Sequence, residues 1–297
     1  MCRDRRGDPS TDDTPRTGNS GLFSVTHRLL NTASQLTDRY DALSFLDELY
    51  WKIDTAYCLL RIALCGGVMS VRIGGETVQF GLSTRSEYRR ATDLGGERAV
   101  IEALLAELRG SETVWDIGAC IGTYTCPVAS ALTTGSVVGF EPEPTNRSRL
   151  RRNLERNAFT ADWTVSSVAL SDHDGTCTLS SEFVAAGAGH HHLSLESNGS
   201  TVETKRGDSL VKDGVFTPPG VIKMDVQGAE LQVLRGLQGI LTEVRSLYLE
   251  VHSNKCRRYG TTAEEIEAFL TRAGFSITVF GPPTNRRSGV YLVHAQR

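Results

Sequence analysis

Apolar and polar residues change rhythm twice along the chain. The first 20 residues, MCRDRRGDPSTDDTPRTGNS, hold no apolar run, and so polar a segment reads as a disordered tail. Over 41–63, Leu43, Leu46, Tyr50, Ile53, Tyr57 and Leu60 recur at spacings of three and four, which marks one face of a helix. In VMSVRIGGETVQFGL two alternating runs then flank Gly74-Gly75, the pattern of a β-hairpin. From about residue 99 strands and helices alternate. ETVWDIG, GSVVGFE, DWTVSSVALS, GVIKMDV and RSLYLEVH read as strands. ERAVIEALLAEL, TNRSRLRRNLERN, AELQVLRGLQGIL and AEEIEAFLTRAG read as helices. Repeated strand–helix units predict a parallel sheet covered on both faces. FSITVFG and GVYLVHA close the chain across a short Gly-Pro-Pro loop, which predicts an antiparallel pair. The expected organisation is a tail over 1–20, a helix and hairpin extension over 21–98, and a main α/β domain over 99–297.

Composition narrows the class. A hydrophobic content of 39% with 23% charged residues is that of a soluble globular protein, and a net charge of −3 argues against a nucleic-acid partner. Seven cysteines occur without a CxxC pair, which fits a reducing, cytoplasmic setting and speaks against structural zinc. The most apolar stretch, 55–71, is broken by Arg61 and Gly66-Gly67, so no transmembrane segment is expected. Asp41, Asp47, Glu48 and Asp54 outnumber Lys52 and Arg61 on the amphipathic helix, the reverse of a membrane-surface helix. Packing on the main domain or in a homodimer is expected there, ahead of peripheral membrane contact.

TVWDIGACIGTYT, 113–125, carries the chemistry. In an open α/β sheet, ligands sit beyond the carboxyl ends of the strands. Gly118 and Gly122 permit a tight turn and a close approach. The next strand ends at Glu141, and 141 − 118 gives 23 residues, the place of an acid that accepts from a ribose diol. The glycine spacing differs from the GxGxxG dinucleotide fingerprint, and Asp116 would repel a pyrophosphate. An acid there suits a ligand with an ammonium and a sulfonium, as in S-adenosylmethionine.

With these residues in place the chain resembles the FkbM-type S-adenosylmethionine-dependent methyltransferases. The resemblance rests on the loop from Asp116 to Thr125, the pair Glu141-Pro142, ALSD ending at Asp172, KMDVQGAELQVLRGL from Lys223, and LYLEVH ending at His252. It covers about 99–297 and the hairpin before it. Gln227 departs from it, since members usually carry glutamate there. The resemblance implies a Rossmann-like class I methyltransferase sheet, mostly parallel with an antiparallel last strand, and transfer of a methyl group to an oxygen. The acceptor would be a small molecule or glycan: a sugar, a lipid-linked glycan or a secondary metabolite. Asp116, Gly118, Gly122, Thr125, Glu141 and Asp172 are the candidate cofactor residues.

A hydroxyl acceptor needs a general base or a metal at neutral pH. His252 is the candidate base and Asp225 its alternative, near the ends of the fourth and fifth strands. Lys223 inside an apolar strand needs a partner, for which Glu250 is expected. Glu230 opens the next helix and is read as a cap before a catalytic group. No metal site is expected at His190–His192, whose loop is expected to be a mobile lid over the acceptor pocket. Arg147, Arg149, Arg151, Arg152 and Arg156 are expected to form a solvated face, and Cys120 and Cys126 to fill space. Two other functions compete: a nicotinamide-dependent dehydrogenase on a related sheet, and a non-catalytic cofactor-binding module.

Overall fold

The computed structural model describes residues 48–181, 187, 191–194, 199–280 and 289–297. The chain divides into two compact units, 1–54 and 55–297. Of the first, residues 48–54 are described and are helical. The second opens with helix α1 (residues 55–64) and the hairpin of β1 (Val68–Ile73) and β2 (Glu76–Gly81), which turns at Gly74-Gly75 as the alternation predicts. In α1 it is Cys58 and Ile62 that pack inward, while Tyr57 and Leu60 of the predicted stripe are exposed. Spacings of three and four fit more than one stripe on a helix this apolar. No described helix is long and apolar enough to cross a membrane.

Next come α2 (Arg85–Asp93) and α3 (Arg98–Glu107), then β3 (Thr113–Ile117), α4 (Thr125–Ala131), β4 (Ser136–Phe140), α5 (Pro144–Asn157) and β5 (Asp162–Ser166). A second, smaller sheet follows, made of β6 (Ala169–Leu170), β7 (Gly175–Ser181), β8 (His191–Ser194) and β9 (Ser200–Lys205). The chain returns through α6 (Gly207–Lys212) to β10 (Val221–Met224), α7 (Glu230–Gly236), β11 (Ser246–His252), α8 (Ser253–Cys256), α9 (Ala263–Arg272), β12 (Ser276–Phe280) and β13 (Val290–Gln296).

The main sheet has seven strands in the order β12-β13-β11-β10-β3-β4-β5. The five from β11 to β5 are parallel, and β13 is antiparallel to both neighbours. This is the mostly parallel, Rossmann-like sheet that the resemblance implies. The chain starts in the middle, runs out to β5, then crosses back to β10, so the switch point lies where β3 meets β10 and β4. Two apolar clusters cover the two faces. One joins Leu104, Cys126 and Leu150 to the hairpin; the other gathers Trp115, Met224, Leu234, Leu249 and Ile266.

DWTVSSVALS is not one strand. Trp163 and Val165 share one phase, Val168 and Leu170 the other, and the slip marks the break. Beyond it Ala169 and Leu170 pair in parallel with Thr204 and Lys205 in the second sheet. That sheet rests on a small cluster of Ala169, Leu179 and Val202. The Gly-Pro-Pro loop lies outside the described residues, as do His190 and the side chains of His191 and His192.

Candidate active site

Two adjoining cavities open at the carboxyl ends of β3, β4, β10 and β11. The first is lined by Gly118, Cys120 and Glu141 on one side and by Phe140, Val168, Ala169 and Leu170 on another. Glu141 is buried and held rigidly. One carboxylate oxygen accepts from Cys120 N at 2.7 Å, the other from Glu143 N at 2.9 Å. Burial pushes its pKa up to about 7. A fixed acid beside an apolar wall fits a ribose joined to adenine, so the residues present suit S-adenosylmethionine.

The rest of the glycine loop acts from beneath. Gly118 has φ +84°, and a Cβ there would collide with the carbonyl of Asp225. Its missing side chain therefore lets β3 and β10 close together, although the residue also lines the cavity. At Gly122 a Cβ would press on Leu150 and Cys126. Thr125 and Asp116 are buried, and Thr125 Oγ1 donates to Asp116 Oδ2 at 2.5 Å. Gly122, Thr125, Asp116 and Asp172 are all absent from the lining of this cavity. Asp172 instead accepts from Ser171, with the His173 ring 2.9 Å away.

Lys223 corrects an expectation. Its ammonium lies 3.8 Å from Asp116 Oδ1 and 4.8 Å from the centre of the Tyr124 ring, and its ion partner is Asp116 rather than Glu250. Strand register is the reason. Lys223 stands directly opposite Asp116 on β3 and Tyr248 on β11, while Glu250 lies two residues past that rung. Burial works against the charge on Lys223, but Asp116, Asp225, Glu97 and Glu250 outweigh it and raise the pKa.

The second cavity is polar and lined by Arg89, Asp93, Glu97, Glu250, His252 and Lys255 among others. Here the sequence candidates converge. His252 Nδ1 donates to Glu230 Oε1 at 2.9 Å, so Nε2 carries the lone pair. Around Nε2 lie Asp225 Oδ1 at 3.8 Å, Glu250 Oε1 at 3.9 Å and Gln227 Nε2 at 3.1 Å. Lys255 donates to Gln227 Oε1, which turns the amide nitrogen toward Asp225 Oδ1, 2.6 Å away, and toward the imidazole. Glu230 has no exposed surface; it accepts from Gly228 N in the turn before α7 and orients His252, but α7 has no side-chain cap, contrary to expectation.

Electrostatics set the protonation states. Desolvation lowers the His252 pKa, but Glu230, Asp225 and Glu250 outweigh it, leaving the imidazole above its ordinary value. Burial raises Asp225, yet Lys223, His252 and the Gln227 amide bring it below the usual carboxylate range. Glu250 is raised to about 8, first by burial and then by Asp225 and Glu97. Asp225, Glu250 and His252 offer ligand atoms within 4.8 Å of one another, the one described set that could share a cation. Cys120, pushed up to about 12 by burial, is no nucleophile.

Sequence reasoning missed α2, which brings Arg89 and Arg90 to the cavities. Its sequence is too polar for a periodic signal. The readable sign was the capping box of Thr84 and Glu87, in which each side chain meets the other's backbone. The arginines of α5 are not simply a solvated face: Arg149 meets the buried Glu87 at 2.5 Å and Arg147 donates to Pro142 O, while Arg151 and Arg152 are exposed. Of the loop expected to be a lid, residues 191–194 form β8, paired with β7 in the second sheet, and most of the remainder falls outside the described residues.

Residues 116–277 match the model of the methyltransferase FkbM domain. The hexuronic acid methyltransferase AglP of Haloferax volcanii is 32% identical over 71% of this chain and 83% of its own length. The 31-O-demethyl-FK506 methyltransferase FkbM of Streptomyces tacrolimicus is 25% identical over 64% of this chain and 83% of its own. A crystal structure of methyltransferase FkbM from Methylobacillus flagellatus KT aligns with a TM-score of 0.43 at 19% identity, over 64% of this chain and 45% of that one.

Proposed function

The chain belongs to the FkbM family of S-adenosylmethionine-dependent methyltransferases, and we propose that it methylates a hydroxyl oxygen with His252 as the general base. The observation that carries this is the convergence of His252, Asp225 and Glu250 beside the donor cavity, with the histidine oriented by Glu230. When bound, S-adenosylmethionine supplies a methyl carbon activated by a positive sulfur. Glu141 would hold the ribose, with the apolar wall of Val168, Ala169 and Leu170 beside the adenine.

The acceptor hydroxyl would enter the second cavity and displace the Gln227 amide from His252 Nε2. His252 Nε2 would take the hydroxyl proton, leaving the oxygen to accept the methyl group that S-adenosylmethionine would supply, with S-adenosylhomocysteine as the other product. Glu230 stabilises the imidazolium that forms. The same arrangement aligns the reactants, and alignment is much of the catalysis in a displacement of this kind.

The lining of the second cavity supports an acceptor rich in hydroxyls. Arg89, Asp93, Glu97 and Lys255 supply donors and acceptors around its wall. A sugar, a glycan or an oxygen-rich secondary metabolite fits. The names of AglP and of the Streptomyces protein, one a hexuronic acid enzyme and one an FK506 enzyme, point the same way. The dehydrogenase alternative falls with the family match.

His252→Ala tests the assignment. It is expected to lower kcat by about 10²–10⁴-fold while the Kd for S-adenosylhomocysteine stays as in the wild type. The wild-type rate should rise with pH through a midpoint above the ordinary histidine value, because the imidazole must lose its proton before it can act. A variant that keeps the wild-type rate and pH profile would pass the role to Asp225.

A further inference from the structure

The donor is a zwitterion at its amino-acid end, and the loop acid expected to meet its ammonium is engaged elsewhere. Asp116 is buried against Lys223 and Thr125 and lines neither cavity. If the proposed function holds, the adenosine lies with Glu141 and the reacting oxygen lies with His252. The sulfur then sits where the two cavities meet, and the amino-acid arm attached to it must find its partners nearby. Three residues line both cavities: Arg90, Asp225 and Gln227. They supply one cation, one anion and one amide.

We propose that Arg90 grips the carboxylate of the methionyl arm while Asp225 receives its ammonium, so that α2, outside the segment matched by the family model, completes the donor site. The other nearby cations are less suited. Lys223 is buried against Asp116 and lines neither cavity, whereas Arg89 and Lys255 line the second cavity without reaching the first. Arg90 Nε donates to Gly187 O at 2.8 Å, which fixes the guanidinium plane. Among the described residues it has no carboxylate within ion-pair distance. A planar fork with that freedom matches a carboxylate through two parallel hydrogen bonds. The helix beneath it is anchored: its capping-box acid, Glu87, is fully buried and meets Arg149 of α5. Gly187 N in turn donates to Asn146 Oδ1, which ties the same clamp to the start of α5.

The test is calorimetric binding to the full chain of two nucleosides, S-adenosylhomocysteine and 5′-methylthioadenosine, which share the adenosine and the thioether but differ in the amino-acid arm. Arg90→Gln is expected to weaken S-adenosylhomocysteine by about tenfold to a hundredfold, the scale for a hydrogen bond to a charged group. It should leave 5′-methylthioadenosine within about twofold, and Arg90→Lys should recover part of the loss. Asp225→Asn should show the same selectivity. Equal weakening of both nucleosides would make Arg90 structural and overturn the proposal. Unchanged S-adenosylhomocysteine affinity with a raised KM for the acceptor would assign Arg90 to the acceptor and overturn it equally. Failure of the wild type to bind S-adenosylhomocysteine would instead bring down the donor assignment on which the proposal rests.

Discussion

Single side chains in this site are governed by what burial does to their charge. Glu141 titrates near neutrality because it is desolvated, yet two backbone amides favour its carboxylate. The ionised form accepts from a ribose diol more strongly than the neutral acid, which keeps only part of its acceptor capacity. Affinity for S-adenosylhomocysteine should therefore climb as pH rises through about 7. Glu141→Ala should cost about 1–3 kcal/mol of that affinity, measured by calorimetry; an unchanged Kd would place the ribose elsewhere. Gln227 is the position at which the resemblance implies glutamate. Its amide lies 3.1 Å from His252 Nε2. Gln227→Glu would put a further negative charge beside the imidazole and stabilise its protonated form. The midpoint of the pH–rate profile should move upward and the rate at pH 7 should fall. A midpoint that stays put would show that His252 does not govern the rate.

Elements were legible where an apolar pattern was strong. The runs in β3, β4, β10 and β11 are buried at nearly every position, and each was readable as a strand. The second sheet was not, because β7 and β9 are mostly serine, threonine and charge, with Leu179 and Val202 as their inward apolar residues. The line-up of His252, Asp225 and Glu250 at one sheet edge was readable from strand ends. The partner of Lys223 was not, since it depends on a register that no local pattern states. Loop chemistry at β3 was readable in type but not in purpose. Gly118 looked like a place for a ligand to approach, and its open side faces the Asp225 carbonyl. Gly118→Ala combines that collision with a positive φ and should destabilise by about 2–4 kcal/mol. Gly75→Ala, with φ +89° and open space around it, isolates the backbone cost and should lose only about 1–2 kcal/mol. Equal losses in urea denaturation would refute the packing role of Gly118.

At the scale of the molecule, residues 55–297 form one compact unit that holds every described strand. Removal of residues 1–20, polar throughout, should leave Tm and S-adenosylhomocysteine affinity unchanged; a large fall in Tm would show that the segment packs. Within the unit the cavity proposed for the donor draws on the ends of β3, β4 and β10 and on residues 168–170, and the one proposed for the acceptor on α2 and the ends of β10 and β11. The last strand in chain order, β13, does not sit at the margin. It lies between β12 and β11, opposite Glu250 and His252 at Leu292 and Val290. That insertion imposes a timetable on synthesis. As the polypeptide leaves the ribosome, β3, β4, β5 and β10 can join one another in turn, but β11 keeps an open edge and β12 has nothing to join. Both wait until residues 290–296 have cleared the exit tunnel. The rim that bears His252 is sealed last, so a chain stalled just short of β13 would have the framework of the first cavity and an unfinished rim on the second.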